Sequence, residues 1–306
     1  ASPNVGKQIV RSMKATGDGN YEGRSVFAEN LDAPYGLAFG NGSIYVATQD
    51  ALLRFDYTEG AVNAAGPPQE ITRLPAAVNH HWTKALTISA DGRYLFVGIG
   101  SDSNITERGL AVEENRAMVW QVDAQTGFHR VFATGLRNPV GLAWQPETGA
   151  LWTVVNERDM LGSDLVPDYL TNVPVGAQYG WPWVYYRENR DRRVDAPMPR
   201  FLMEYVRNPE YALGPHVAAL GMVFTAEGHR MGEAFGSGAF VARHGSWNRK
   251  PPSGYDVVFV DFDDRGNPVG KPVPVLTGFL KGDGTTRGRP TWVELKLSDI
   301  ERLFGR

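Results

Sequence analysis

The stretch NPVGLAWQPETGALWTV (residues 138–154) decides the fold: a short apolar strand, a turn with Pro and Gly, and a second strand rich in aromatic and β-branched residues. Three other stretches repeat this pattern: APYGLAFGNGSIYVAT (33–48), TKALTISADGRYLFVG (83–98) and HVAALGMVFTAEG…SGAFVAR (216–243). A third strand pattern commonly follows, as in ALLRFDY (51–57), AMVWQVD (117–123) and YDVVFVDF (255–262). None of these stretches has a helical period, so the sequence predicts an all-β fold built from repeated hairpins.

The spacing of the repeats indicates how the sheets are arranged. They begin at Ala33, Thr83, Asn138 and His216, farther apart than the roughly 40–50 residues of a short propeller blade. We interpret the surplus as Gly- and Pro-rich insertions such as 160–215. Because one four-stranded sheet cannot bury both faces, whereas sheets packed around an axis can, we predict a β-propeller forming a single domain over residues 1–306. A β-sandwich is the alternative, but it requires no recurring first-strand signature.

The two ends of the chain look incomplete as blades. KQIVRSMKATGDG (7–19) is typical of one outer strand without inner partners. GRPTWVELKLSDIERLFGR (288–306) contains one inner strand and then a charged segment with a helical pattern. We therefore expect four whole blades, with the first and last blades incomplete.

Composition excludes several classes of function. The net charge of −3, with Lys and Arg scattered along the chain, gives no cationic surface for nucleic acid and favours a small-molecule partner. No apolar run approaches the roughly 20 residues that span a bilayer, so we expect no membrane span. The opening ASPNVGKQIV has no basic and apolar leader, so we expect a soluble chain from which any export signal is already absent. The chain has no cysteine, so a metal ion would be held by oxygen or imidazole ligands.

In a propeller, functional groups belong on the loops that flank the innermost strands. Seven such loops are NHHWTK (79–84), GSDSN (100–104), GLRNP (135–139), NERDMLGSD (156–164), LGPHVA (213–218), HGSWNR (244–249) and TTRGRP (285–290). Together they offer histidines suited to proton abstraction and arginines suited to a planar, multiply anionic ligand. Each residue also has a structural interpretation: His81 satisfied within a turn, Arg137 and Asn138 capping a strand entry, Arg287 and Arg289 in surface ion pairs.

Two other tracts carry no functional prediction. GWPWVYY (180–186) is more typical of loop packing than of a substrate platform. DFDDRGNP (261–268) lacks the distal glutamate of a calcium-binding EF-hand and indicates a hairpin turn.

At these motifs the sequence resembles the soluble PQQ-dependent sugar dehydrogenases, in particular the branch labelled sorbosone dehydrogenase. PQQ is pyrroloquinoline quinone. The resemblance runs from about Val26 to Arg289, through LDAPYGLAF, HWTKALTISADG, GLRNPVGLAW, LWTVVNERDMLGSDLVPDYL, YGWP, HGSWNR and GRP in this order. It implies a six-bladed propeller that binds PQQ and calcium at its axis, in the periplasm or outside the cell.

The resemblance also implies roles for individual residues. His81 matches the catalytic base that takes the proton of the sugar hydroxyl. Arg137 and Asn138 match a pair that hydrogen-bonds the quinone and its carboxylates, and Arg137 would also stabilise charge on the quinone oxygen during catalysis.

The remaining implied residues hold the cofactor and the metal. The calcium would be bound by main-chain oxygens of Arg158 and Asp159, and Asp164 matches an acid of the same loop. Arg249, Arg287 and Arg289 match cations that bind the cofactor carboxylates.

The resemblance implies oxidation of an aldose or related sugar aldehyde, with electrons passed to an unidentified acceptor. Where the glucose-oxidising branch carries an aspartate near the base, this chain has Ser101 followed by Asp102, which argues against glucose as the substrate. A calcium-dependent lactonase is one alternative; it would use side-chain carboxylates and asparagines at the axis rather than arginines. A propeller that only binds a ligand, with no catalysis, is the other.

Overall fold

The computed structural model of the protein describes residues 7–12, 23–225 and 235–294, which form an all-β structure with almost no helix. A short antiparallel pair contains β1 (Ile9–Ser12) and β2 (Arg24–Ala28). Four four-stranded antiparallel sheets then follow one another along the described chain.

Each of the first two sheets is a simple meander of consecutive strands. The first contains β3 (Gly36–Gly40), β4 (Ser43–Ala47), β5 (Ala51–Asp56) and β6 (Gln69–Arg73). The second contains β7 (Lys84–Ile88), β8 (Tyr94–Ile99), β9 (Met118–Asp123) and β10 (His129–Thr134), with a 3₁₀ turn at Leu110–Glu113.

The third sheet is interrupted before its last strand. It contains β11 (Pro139–Trp144), β12 (Leu151–Val155) and β13 (Pro167–Asn172). The chain then forms the small hairpin β14 (Val184–Tyr185) and β15 (Asn189–Arg190) and the helix α1 (Leu202–Tyr205), and returns as the fourth strand, β16 (Tyr211–Pro215).

The fourth sheet is again a meander, formed by β17 (Ala219–Phe224), β18 (Gly238–Arg243), β19 (Asp256–Phe262) and β20 (Pro268–Leu276). Across the described ranges, no helix has the length and apolar character that crossing a membrane requires.

The four repeated stretches form the first two strands of the four sheets. In the first, Asn41 and Gly42 both have positive φ angles, 50° and 67°, which matches the Asn-Gly turn that joins closely spaced antiparallel strands. The segment interpreted as an insertion, 160–215, also contains β13 and β16. The repeat does not predict these two strands, because the β14–β15 hairpin and α1 separate them and the repeat is a pattern of adjacent strands.

Both faces of the second sheet are buried. On β8, Leu95 and Val97 pack into the core shared with the first sheet, whereas Phe96 between them packs into the core shared with the third. A strand that alternates between two apolar cores has no polar face, which is why it appears in sequence as an uninterrupted apolar run.

The first strands of successive sheets lie side by side: β3 contacts β7, β7 contacts β11, and β11 contacts β17. Gly141 permits the last of these contacts, since a Cβ there would lie 2.5 Å from the carbonyl oxygen of Leu220. This arrangement places the loops before each first strand at one common end of the sheets.

The chain ends are described in part. β1 is the strand expected in 7–19, and it pairs with β2, while 13–19 lie outside the described residues. At the other end, Trp292 lies against the Tyr35 ring, with ring centroids 6.3 Å apart, and its Cα is the nearest atom to a Cβ built at Gly221 of β17. The predicted helical segment falls on 295–306, outside the described residues.

Candidate functional site

The loops at this common end surround a cavity of about 310 Å³. Four of the residues selected from the sequence line it: His81, Arg137, Asn138 and Asp159. Eight further lining residues were not selected as site residues: His80, Asn156, Glu157, Asp168, His216, Ala218, Trp247 and Asn248. The cavity therefore joins residues that are distant in sequence and belong to the strands or loops of three different sheets.

The imidazole of His81 has a defined tautomer. Its Nδ1 lies 2.8 Å from the carbonyl oxygen of Ser101, and because a carbonyl oxygen can only accept a hydrogen bond, Nδ1 carries the proton. Nε2 then carries the lone pair, and it has no hydrogen-bond partner among the described residues. The Ser101 hydroxyl lies 3.1 Å from the same Nδ1 and donates to the carbonyl of Ser103.

The surroundings of His81 keep its imidazole neutral. Burial lowers its pKa well below the ordinary value of 6.5, and the positive charge of Arg137 and the neighbouring ring of His80 lower it further. A neutral imidazole with a free Nε2 is able to accept a proton at neutral pH.

Arg137 is buried, and the protein itself accepts all of its hydrogen bonds. Nε donates to the carbonyl of Asn104 at 3.1 Å, and Nη1 donates to the carbonyls of Asn156 and Glu157 at 3.3 and 2.8 Å. Nη2 donates to the Asn104 side chain at 3.0 Å and to the carboxylate of Asp159 at 3.3 Å. These five contacts match the five N–H groups of a guanidinium, so Arg137 fixes the loop after β12 and supplies a positive charge at the cavity wall.

Two carbonyl oxygens on the cavity wall lack partners. Among the described residues, the buried Oδ1 atoms of Asn138 and Asn248 accept no hydrogen bond. Gly100 leaves room for the first of them, because a Cβ at that position would collide with Asn138 Oδ1 and with the Cβ of His81. Buried acceptors without partners are rare, so these two oxygens indicate a ligand that brings N–H or O–H groups.

Carboxylates complete the wall. The Asp159 side chain accepts a hydrogen bond from Asn248 Nδ2 at 2.7 Å and lies 3.7 Å from Nδ1 of His216. Asp168 is fully buried and accepts the backbone N–H groups of Glu157 and Ala218, each at 2.7 Å. Burial raises the pKa of Asp168 to about 7. Asp168 thus connects the loop after β12 to the loop before β17.

The resemblance assigns Arg158 and Asp159 to calcium, but only Asp159 lines the cavity. The Arg158 side chain is fully buried behind the cavity, where Nε contacts Glu157 at 2.9 Å and Nη2 donates to the Val184 carbonyl at 2.8 Å. The Asp159 carbonyl accepts hydrogen bonds from Asn104 and Arg193, at 3.2 and 3.0 Å. The described side chains form no group of three or more histidines and carboxylates suited to a metal, so a metal here would depend on main-chain oxygens.

The remaining selected residues do not line the cavity. Arg249 pairs with Asp164 at 2.8 Å, and the Asp164 side chain is 80% exposed. Arg289 donates to the carbonyls of His244 and Gly245. Arg287 is exposed.

A second cavity of about 430 Å³ lies outside this site and is lined by Arg116, Trp181 and Trp183, among others. Both tryptophans belong to the GWPWVYY tract and use their indole N–H groups internally. Trp181 donates to the Asn104 carbonyl at 3.0 Å, and Trp183 donates to the Ala196 carbonyl at 2.8 Å.

The sequence is similar to proteins from several organisms. The profile of the family described as TrAA12-like matches residues 6–174 and 200–275. An uncharacterized protein of Borreliella burgdorferi is 24% identical over 273 residues, which cover 86% of this chain and 70% of that protein. A pyrroloquinoline quinone-dependent pyranose dehydrogenase of Coprinopsis cinerea is 26% identical over 259 residues, covering 71% of this chain and 34% of the enzyme. The chain thus matches about a third of that enzyme's length.

Two solved structures have the same fold. The calcium structure of a Trichoderma reesei enzyme of carbohydrate-active family AA12 superposes with a TM-score of 0.80 at 19% identity, covering 96% of this chain and 84% of that one. The holo form of the PQQ domain of the Coprinopsis cinerea pyranose dehydrogenase superposes with a TM-score of 0.73 at 21% identity, covering 94% and 82%. The four-stranded sheets described above match those of PQQ-dependent propeller enzymes.

Proposed function

Because the chain belongs to the TrAA12-like family, we propose that it is a PQQ-dependent dehydrogenase that oxidises an aldose or a sugar aldehyde. The observation that carries the proposal is the neutral His81 imidazole, with its free Nε2, on the same cavity wall as the buried cation Arg137. A proton acceptor beside a fixed positive charge suits the removal of a hydroxyl proton together with a hydride.

The residues present fit the proposed cofactor. The cavity of about 310 Å³ lies at the lower end of the roughly 300–1,000 Å³ of small-molecule sites. Asn138 and Asn248 offer acceptors without partners, and Arg137 offers positive charge toward an anionic ligand. Arg249, Arg287 and Arg289 would supply further cations from outside the cavity lining, and Asp164 would hold Arg249 in place.

The chemistry divides between the cofactor and the chain. When bound, PQQ supplies a two-electron acceptor for the hydride that leaves the sugar carbon. His81 Nε2 takes the proton of the hydroxyl group on that carbon. An aldose thus loses one hydride and one proton and becomes a lactone. Arg137 stabilises negative charge that develops beside it, and its five contacts to the protein hold it in position.

We include calcium in the proposal, bound through main-chain oxygens of Arg158 and Asp159. The calcium structure of the Trichoderma reesei enzyme supports calcium as the metal, and the two residues follow from the family resemblance. Because the Asp159 carbonyl already accepts two hydrogen bonds, calcium binding would require Asn104 or Arg193 to move.

The proposal extends to the substrate, the architecture and the location. Ser101, whose carbonyl accepts a hydrogen bond from His81 Nδ1, stands where the resemblance places an aspartate in glucose-oxidising relatives, and this argues against glucose as the substrate. The sorbosone-like substrate follows from the family resemblance. Closure of the sheets into a single ring is supported by Trp292, which lies near both Tyr35 and Gly221. The number of six blades follows the family resemblance. The periplasmic or secreted location and the unidentified electron acceptor follow the same family resemblance.

A calcium-dependent lactonase is the second candidate, and one observation favours it. The cavity brings together Asn138, Asn156, Glu157, Asp159 and Asn248, the residue types that such chemistry uses. However, Asp159 is engaged by Arg137 and Asn248, which leaves the dehydrogenase as the better-supported function.

The test begins with a PQQ titration of the purified, metal-free protein with and without calcium. A dye-reduction assay against aldoses and sorbosone follows, with lactone hydrolysis measured in parallel without PQQ. Calcium-dependent PQQ binding with sugar-dependent dye reduction is the expected result. Lactone hydrolysis without PQQ would establish the second candidate, and absence of both activities, with no PQQ binding, would leave only a binding protein.

A further inference from the structure

A lysine is completely buried beside the candidate site. Lys84 is the first residue of β7, and its exposed fraction is 0%. Its Nζ donates to the Asn79 side-chain oxygen at 3.1 Å and to the Trp82 carbonyl at 3.0 Å. Both acceptors are neutral, and among the described residues no carboxylate lies within ion-pair distance of Nζ. Burying a charged lysine without a counter-ion costs folding free energy, so Lys84 must have a role that offsets this cost.

The contacts of Lys84 enclose one short turn. Asn79 and Trp82 flank His80 and His81, so the buried ammonium joins the two ends of the segment that carries both histidines. Arg116, which lies just before β9 of the second sheet, contacts the same turn. Its Nη1 shares the Asn79 oxygen at 3.2 Å, and its Nη2 donates to the Val78 carbonyl at 2.8 Å.

We propose that Lys84 is a positioning residue for His81: its buried Nζ ties together the turn 79–82 that places the imidazole on the cavity wall. This inference rests on the proposed function, since it takes His81 as the proton acceptor. Lys84 does not line the cavity, so it acts through the turn and through its charge.

The positive charge of Lys84 also lowers the pKa of His81. Burial lowers the pKa of Lys84 to about 7; the nearby cation Arg116 lowers it further and Asp50 raises it. In its charged form, Lys84 joins Arg137 and His80 among the groups that lower the pKa of His81. The lysine therefore fixes the position of the imidazole and helps to keep it neutral.

The test measures the His81 imidazole by ¹⁵N NMR in the metal-free protein without PQQ, so the result does not depend on any enzymatic activity. The His81 signals are assigned by their absence in His81→Gln. In Lys84→Met, loss of the cation should raise the His81 titration midpoint by about 0.5 pH unit or more. Lys271→Met, at an exposed lysine of β20, is the matched control and should change nothing.

Rescue separates this role from a merely structural one. Lys84→Arg keeps a positive charge and donors, and it should return the midpoint toward the wild-type value. If Lys84→Met does not fold, Asn79→Ala removes the shared acceptor without changing the charge, and His81 should then populate both neutral tautomers. Wild-type His81 signals in whichever variant folds would overturn the proposal.

If the dehydrogenase is established, a second measurement applies to the loaded enzyme. Lys84→Met should lower kcat at least about tenfold with a smaller change in KM, because substrate contacts remain while the base is misplaced. If the protein is shown not to be a dehydrogenase, this kinetic measurement does not apply, and the NMR measurement alone tests the role of Lys84.

Discussion

Arg137 and Asp159 form an ion pair in the cavity wall, with Nη2 3.3 Å from Oδ2 and side-chain exposures of 3% and 22%. The same carboxylate accepts a hydrogen bond from Asn248, a residue of another sheet's loop. One carboxylate therefore connects the buried cation to a loop from which an unpartnered oxygen reaches the cavity.

Replacing this carboxylate should destabilise the protein. We expect Asp159→Asn to lower the free energy of unfolding by about 1–3 kcal/mol, because Arg137 keeps its other four acceptors but loses its compensating charge. Urea unfolding of the metal-free protein measures the effect. Asp164→Asn is the control, since that exposed partner of Arg249 should change stability by less than about 1 kcal/mol. Equal effects of the two substitutions would contradict the role assigned to Asp159.

Gly100 offers a way to disturb the site without changing a functional group. A Cβ there would meet both Asn138 Oδ1 and the Cβ of His81, so Gly100→Ala should displace both side chains and cost about 1–3 kcal/mol of stability. PQQ affinity should fall as well, as measured by titration. Gly149→Ala is a useful control, because that glycine has open space around its Cβ position and a positive φ of 67°, which makes any loss purely conformational. Unaltered PQQ binding in Gly100→Ala would show that Asn138 does not contribute to PQQ binding.

The pH dependence of catalysis should follow His81. Because its pKa is held well below 6.5, the imidazole is neutral through neutral pH, and kcat/KM should decline only as the pH falls through that lowered value. His81→Gln should retain PQQ binding, lose about 10²–10⁴ in rate and lack this acid limb. An acid limb that persists in His81→Gln would assign it to another group.

Asp168 should make stability fall as the pH rises. Its pKa is raised from 3.8 to about 7, so between these values the folded state binds a proton that the unfolded state does not. The contribution of Asp168 is complete below about pH 4 and is lost as the pH rises through about 7. Unfolding free energies measured from pH 4 to 8 should show a smaller decline in Asp168→Asn. Parallel curves for the two proteins would contradict the raised pKa.

The sequence predicted the elements of this fold that are local and missed those that depend on distant segments. The hairpin that begins at Gly36 follows from alternating apolar residues and an Asn-Gly turn, both readable within a few residues. The strands β13 and β16 pair across a long excursion of the chain, and no local pattern connects them.

The same distinction applies to the site. His81, Arg137 and Asn138 lie next to first strands, so the repeat itself places them at one end of the sheets. Asp168 lies within a strand, and its importance comes from two backbone N–H groups supplied by separate loops. That convergence exists only after the sheets have packed together.

The five protein contacts of Arg137 have a consequence for how the cavity responds to whatever enters it. A guanidinium that is already fully hydrogen-bonded need not rotate or exchange solvent when charge develops nearby, so the electric field in the cavity is established when the chain folds. The site is thereby preorganised: little reorganisation energy is added to a reaction barrier, and the same rigidity restricts the ligands that can be accommodated to those whose charge distribution matches a field fixed in advance.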